Sequence, residues 1–178
     1  MTSRVEVEHT AMLRAGQLEL VHQLLVEVFG REFSSDDWDH TLGGVHALVW
    51  EDERLIAHGS VVQRRLTHAG RVLRCGYVEG VAVRENRQRQ GFGTTVMDRL
   101  EAVILGAYEV GALSASAAGF PFYLARGWQP WGGETCAVTP EGLVRTADDD
   151  DSVMVWGATV PLDPASPLAC DWRDGDVW

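Results

Sequence analysis

Tyr77-Val78-Glu79-Gly80-Val81-Ala82-Val83, then Arg84-Glu85-Asn86-Arg87-Gln88-Arg89-Gln90, then Gly91-Phe92-Gly93-Thr94 is the stretch whose reading decides the fold. The first seven residues close a strand-like run that starts at Arg71, and the next seven are polar. From Phe92 to Leu105 the apolar residues Val96, Met97, Leu100, Val103 and Ile104 recur at helical spacing. The stretch is therefore strand, loop, helix, with glycine at the joint. Glycine lets the backbone approach a ligand closely. The first amides of a helix lack internal partners and, with the helix dipole, make an anion site suited to a pyrophosphate. Arg87 and Arg89 place charge at its rim. The dinucleotide fingerprint is not met, because Val96 holds the third glycine position. A plain glycine-capped helix is the competing explanation. Gly80 in mid-strand reads as a bulge or a twist point. Without a bulge, Glu79 would share a face with Val81 and Val83.

Working outward, Arg4–His9 reads as a first strand, and Gln17–Phe29 as a helix capped by Gly30. Arg31–Gly44 is a loop or a short second helix. His46–Trp50, Arg54–Leu66 and Arg71–Val83 make an antiparallel meander with a turn at Ala69-Gly70. Downstream, Val110–Ser116 is a strand and Phe120–Ala125 a short helix ended by Gly127, with further strands near Thr135–Thr139 and Val153–Val160. Pro161–Trp178 has three prolines and no clear period. The order gives a mixed α/β class with a largely antiparallel sheet, and 178 residues is a single-domain length.

Composition narrows the chemistry. All fifteen basic residues are Arg, so lysine Schiff-base and P-loop lysine chemistry are excluded. The net charge of -11 argues against nucleic acid as a partner and is compatible with a cationic one, or with solubility alone. Cys75, Cys136 and Cys170 are far apart, and the six His residues show no ligand spacing, so neither a metal site nor a disulfide scaffold is expected. No GxSxG elbow occurs. No apolar run is long enough to span a bilayer, and Met1–Thr10 shows no secretory signal, so the expected compartment is the cytoplasm.

The loop Gln88-Arg89-Gln90-Gly91-Phe92-Gly93 resembles the acetyl-CoA pyrophosphate loop of the GCN5-related N-acetyltransferase (GNAT) superfamily. Phe122-Tyr123-Leu124-Ala125-Arg126-Gly127-Trp128 is similar to that superfamily's second signature. More narrowly, the chain resembles aminoglycoside 2′-N-acetyltransferases over nearly its whole length. Asp37–Gly44, Arg74–Val83, Gly111–Ser114 and Cys170–Trp178 carry this resemblance. It implies one acetyltransferase domain over residues 1–178, with a mixed, mostly antiparallel sheet splayed at the cofactor site and flanked by helices. It also implies acetyl-CoA as cofactor, held by the backbone of Val81, Ala82 and Val83 and by Gln88, Arg89, Gln90, Gly91, Phe92, Gly93 and Thr94. A homodimer is left open.

Acetyl transfer to an amine needs an extended cofactor, a neutral amine, an oxyanion donor and a proton for the leaving thiolate. The strand Tyr77–Val83 can bind pantetheine along its edge and supply a donor. The resemblance implies that Glu79 is a base acting through water and that Tyr123 is the acid. On sequence alone, an isolated strand Glu such as Glu79 is more often an exposed charge than a base, and Tyr123 reads as a core residue. Cys75 as an acyl-carrying nucleophile is the rival mechanism. The resemblance further implies substrate contacts at Glu32, Asp37, Glu79, Gly80, Ser114, Asp148, Asp149, Asp176 and the α-carboxylate of Trp178. Glu32 departs from the Asp expected there. The substrate would be an aminoglycoside, another cationic amine such as a polyamine or a cell-wall amino sugar being the alternative. A non-catalytic acyl-CoA-binding or drug-binding module is the alternative of another class.

Overall fold

The computed structural model describes residues 3–178, which fall into two compact units. One comprises the chain up to Val62 together with Val78–Val103; the other comprises Gln63–Tyr77 and Ile104–Trp178.

In the first unit, β1 (Ser3–His9) pairs antiparallel with β2 (Val45–Glu51), and β2 with the first part of β3 (Arg54–His68). The last residues of β4 (Arg71–Val83) lie beside β3. α1 (Ala15–Phe29) buries Val21, Leu24 and Leu25, its three- and four-residue spacing, against Leu48, Trp50, Leu55 and Ala82. Gly30 caps it at φ 67. The acidic segment after it forms a 3₁₀ turn, Gly30–Glu32, and α2 (Ser35–His40). α3 (Phe92–Ala107) buries Val96, Met97, Leu100 and Ile104 of the five residues its periodicity picks out, Val103 being half-buried.

Two histidines sit in this unit's interior. His46 on β2 and His58 on β3 are fully buried, and the register His46↔Ser60, Leu48↔His58 makes them diagonal neighbours on one face. His46 Nδ1 lies 2.9 Å from His58 Nε2, and Thr10 Oγ1 lies 2.7 Å from His46 Nε2.

In the second unit, β4 pairs parallel with β5 (Val110–Ser114), and β5 antiparallel with β9 (Val153–Trp156), which also carries the two-residue β6 (Gln129–Pro130). The β4–β5 ladder stops at Tyr77↔Ala112, although β4 continues to Val83. On the other side, β10 (Leu168–Asp171) pairs antiparallel with β3 and parallel with β7 (Thr135–Thr139), and β8 (Gly142–Arg145) closes the edge. α4 (Phe120–Ala125) has the predicted bounds. The tail expected to lack regular structure thus contributes β10. The strand expected over Val153–Val160 ends at Trp156.

The buried histidines set a pH dependence. Burial, reinforced by the charge of a neighbouring histidine in each case, lowers His46 to about 4 and His58 to about 3. Both folded values lie below the unfolded value of about 6.5, so in acid the unfolded chain binds protons that the folded chain refuses. Stability should be level above about pH 6.5 and fall as the pH drops from there towards 4, by up to about 1.4 kcal/mol per pH unit for each ring. Urea unfolding at pH 7.5, 6 and 5 checks this: a decline is expected, and equal midpoints at all three would contradict it.

Candidate functional site

In the first unit the candidate residues gather around the end of β4. Gly80 has φ 57, inside the left-handed region. A Cβ there would also lie 2.9 Å from Thr41 Cγ2 and 3.4 Å from both Leu25 methyls. The position therefore needs glycine for conformation and for space. This kink breaks the strand's alternation: Glu79, Gly80 and Val81 are all half-buried, and Ala82 is buried among the α1 residues. Two side chains of one β3 face receive the kinked backbone. Ser60 Oγ donates to the Glu79 carbonyl at 3.4 Å, and His58 Nδ1 lies 2.8 Å from the Gly80 carbonyl. The end of α2 is close by, through Thr41. Asp37 closes a reciprocal cap at the start of α2: its carboxylate accepts from Ser34 N and Oγ at 2.8 Å, and Ser34 Oγ accepts from Asp37 N at 3.1 Å. One Asp37 oxygen is thus occupied structurally, while Glu32 is exposed in the 3₁₀ turn.

Val83 leads into the loop. Arg84 is tied down by Leu55 O at 2.7 Å and by Glu27, and Gln88 Nε2 donates to Val83 O at 3.2 Å. Arg89 at φ 62 and Gly91 at φ 88 turn the backbone before α3. The first α3 hydrogen bond runs from Thr95 N to Gly91 O at 3.0 Å, so the amides of Phe92, Gly93 and Thr94 precede it at the positive end of the dipole. No heavy atom lies within 4 Å of where a Gly91 Cβ would sit, which leaves an open cradle. One rim cation expected from the sequence is otherwise engaged: Arg87 pairs with Glu51 at 2.8 Å, while Arg89 is exposed.

The second unit gathers Tyr123 and the late acidic residues. Tyr123 is buried on α4, 6.1 Å from Trp128 in an edge-on contact, and burial pushes its phenol well above the ordinary value. It is a proton donor at any working pH. The Asp148–Asp151 run is not uniform. Asp150 makes a bidentate pair with Arg145 and accepts from Thr135 N at 3.0 Å and Oγ1 at 2.9 Å; these bonds, led by the guanidinium, hold it far below the carboxylate range. Asp149 moves the other way: burial first, then the charge of Asp176, raises it. The tail therefore brings Asp176 near Asp149. Ser114 Oγ donates to Ser152 Oγ at 2.9 Å, and Ser152 Oγ to Asp149 O at 2.9 Å. Trp178, buried, donates from Nε1 to Thr146 Oγ1 at 3.0 Å, just before the acidic turn Ala147–Asp149. Ser114, Asp148, Asp149, Asp176 and Trp178 thus share one region.

Arg64 fastens the tail there. Its buried guanidinium donates to Asp171 Oδ1 at 2.8 Å, Asp171 O at 2.7 Å and Val177 O at 2.7 Å, and it lies 4.8 Å from the Tyr77 ring centroid. Arg64, Ser152 and the His46–His58 pair escaped the sequence reading, because a side chain's role as an anchor depends on partners far along the chain. Cys75 is fully buried, and burial drives its thiol well above the ordinary range, which removes the thiolate an acyl-carrying nucleophile needs. Among the described residues, no group of three or more His, Cys, Asp or Glu could hold a metal ion. Among the described residues, no helix is long and apolar enough to cross a membrane.

Comparison with known proteins gives these features a context. A family model described as an acetyltransferase (GNAT) domain matches residues 10–131. An aminoglycoside 2′-N-acetyltransferase from Mycolicibacterium fortuitum is 48% identical over 174 residues, covering 96% of this chain and 89% of that protein. An acyl-CoA N-acyltransferase from Pseudomonas aeruginosa is similar in fold, with TM-score 0.62 at 20% identity over 88% of this chain and 100% of that one. A GNAT family acetyltransferase from Brucella melitensis in complex with acetyl-CoA has TM-score 0.62 at 13% identity over 96% of this chain and 97% of that one.

The Arg64 anchor is testable alone. Arg64→Met keeps most of the stem but loses three charge-assisted hydrogen bonds, and it should destabilise the protein by about 3 kcal/mol. Limited proteolysis should then cut within Asp171–Trp178 before the rest of the chain. Wild-type stability with an uncut tail would remove Arg64 from this role.

Proposed function

Because the chain belongs to the GNAT family of acetyltransferases, we propose that it transfers the acetyl group of acetyl-CoA to the 2′ amine of aminoglycosides. The observation that carries this reading is the 48% identity, across 96% of the chain, to the Mycolicibacterium fortuitum aminoglycoside 2′-N-acetyltransferase. In this reading residues 1–178 work as one acetyltransferase domain in the cytoplasm, and the activity confers resistance.

The loop fits the cofactor. Gln88, Arg89, Gln90 and Gly91 lead to the amides of Phe92, Gly93 and Thr94, which sit where a pyrophosphate would be bound, and the open space at Gly91 leaves room for it. The backbone of Val81, Ala82 and Val83 would take pantetheine as an added strand. When bound, acetyl-CoA supplies an activated thioester carbon to which an amine nitrogen can bond as the carbon–sulfur bond breaks. Glu79 accepts the proton that the amine gives up, through intervening water. Tyr123, kept protonated by burial, donates at its hydroxyl to the leaving sulfur. The β4 backbone at the Gly80 kink supplies a hydrogen-bond donor for charge on the acyl oxygen.

Recognition rests on carboxylates. In the second unit Asp148, Asp149 and Asp176 would offer the substrate an acidic wall with Ser114 and Trp178; in the first, Glu32, Asp37 and Gly80 are the candidate contacts. The raised pKa of Asp149, due first to burial and then to the charge of Asp176, fits a carboxylate whose charge a cation would relieve. The same acidity favours the protonated, unreactive amine, and this is why a proton acceptor beside it is required.

The test is regiochemical. The protein with acetyl-CoA should acetylate tobramycin and gentamicin, which carry a 2′ amine, far faster than amikacin, which carries a 2′ hydroxyl, and NMR of the product should locate the acetyl group on the 2′ nitrogen. Acetylation at another nitrogen, or equal rates on amikacin, would overturn the specificity. Turnover of a polyamine or amino sugar with none of these drugs would overturn the substrate class.

A further inference from the structure

The Thr10–His46–His58 line ends on the kink of β4, and its proton placement follows from that end. The Gly80 carbonyl can only accept, so His58 Nδ1, 2.8 Å away, carries a proton. Burial holds both rings neutral, with His58 at about 3 and His46 at about 4. A neutral ring has one N–H, so His58 Nε2 is bare and accepts from His46 Nδ1 at 2.9 Å. His46 Nε2 is then bare in turn and accepts from Thr10 Oγ1 at 2.7 Å. Thr10 is itself fixed: its Oγ1 accepts from Gly43 N at 2.9 Å, its backbone N–H donates to Gly44 O at 2.9 Å, and its hydroxyl, which also lies 3.2 Å from Gly44 O, has one proton, which the bare His46 Nε2 at the shorter 2.7 Å takes. Every donor in the line therefore points towards Gly80, and each bond polarises the next.

The consequence lies in the Gly80–Val81 peptide. No cis peptide bond occurs among the described residues, so the Gly80 C=O and the Val81 N–H point in opposite directions. Gly80, at φ 57, has no side chain to choose between orientations of that peptide. His58 makes the choice: with the carbonyl drawn to its Nδ1–H, the Val81 N–H is turned the opposite way. We propose that His58, oriented by His46 and Thr10, is a positioning residue for acetyl transfer that presents the Val81 N–H to the acyl oxygen. This rests on the acetyltransferase reading above and adds to it three residues that touch neither cofactor nor substrate. Ser60, two residues along the same β3 face, holds the preceding carbonyl, that of Glu79, at 3.4 Å. The two peptides flanking Gly80 are thus both set from β3.

The experiment uses the full chain and two substitutions. His58→Asn keeps an N–H two bonds from Cβ, where Nδ1 stood, while His58→Leu keeps bulk and loses the donor. His58→Leu should lower kcat with tobramycin about 10–100-fold, with the KM for acetyl-CoA within about threefold, as for loss of a well-aimed donor. His58→Asn should recover most of that kcat. Equal kcat in His58→Leu and wild type, or equal losses in both variants, would overturn the proposal. A second measurement needs no turnover. ¹⁵N NMR of the wild type should find His58 protonated at Nδ1 and bare at Nε2, and the Val81 amide signal should move in His58→Leu more than in His58→Asn. A His58 protonated at Nε2 would overturn the proposal even if His58→Leu failed to fold. Absence of acetyl transfer by the wild type, with these NMR results intact, would instead remove the acetyltransferase reading.

Discussion

The constraint on which the first unit depends is the kink at Gly80. A strand that breaks its alternation inside a core turns its carbonyls away from their regular directions, and buried carbonyls need partners. β3 provides them from one face, with Ser60 for Glu79 and His58 for Gly80. His58 then needs a donor of its own, and the diagonal His46 on β2 supplies it. Thr10, in the 3₁₀ turn that follows β1, completes the line, so the kink accounts for polar groups on two strands and that turn. The lack of a side chain at Gly80 also lets Thr41 and Leu25 pack against it, which brings the end of α2 and the middle of α1 to the same place. On the proposed reading the chemical use of the strand follows from this packing, because Glu79 and the Val81 amide flank Gly80, whose backbone departs from the strand.

The second unit divides its carboxylates between those held by arginine and those that are not. Asp150 and Asp171 are taken by Arg145 and Arg64, and each pair also binds backbone or hydroxyl groups that make it specific. Among the described residues, Asp148, Asp149 and Asp176 carry no such arginine bridge, and Asp149 is pushed up by burial and by Asp176. A surface that keeps acidic groups close together without a basic partner is suited to a polycationic ligand. An exposed Asp run would give the same net charge without this selection, so the value of -11 alone says little about recognition.

Much of this could be read from the sequence, for identifiable reasons. The α1 and α3 periodicities, the Ala69-Gly70 turn and the Gly127 stop are local signals, and local signals survive into the structure. The Gly80 kink was legible because alternation across it fails. β8 and β10 were not legible: β8 is a short, exposed edge strand, and β10, between prolines and a polar tail, is a strand only because β3 and β7 lie on either side of it. The Asp148–Asp151 run stands out in the sequence, but its division between Asp150 and its neighbours depends on Arg145 and Thr135 folding back. The histidine line was invisible for the same reason, since His46 and His58 are twelve residues apart and meet only through strand register.

Hydrogen–deuterium exchange with and without CoA tests the central claim most directly, because it reads the kinked strand and the loop together without requiring the right amine. On this account CoA slows exchange at the amides of Val81–Val83 and at Phe92, Gly93 and Thr94, and leaves the β7–β8 edge unchanged. Binding of CoA with no protection at either place would contradict it.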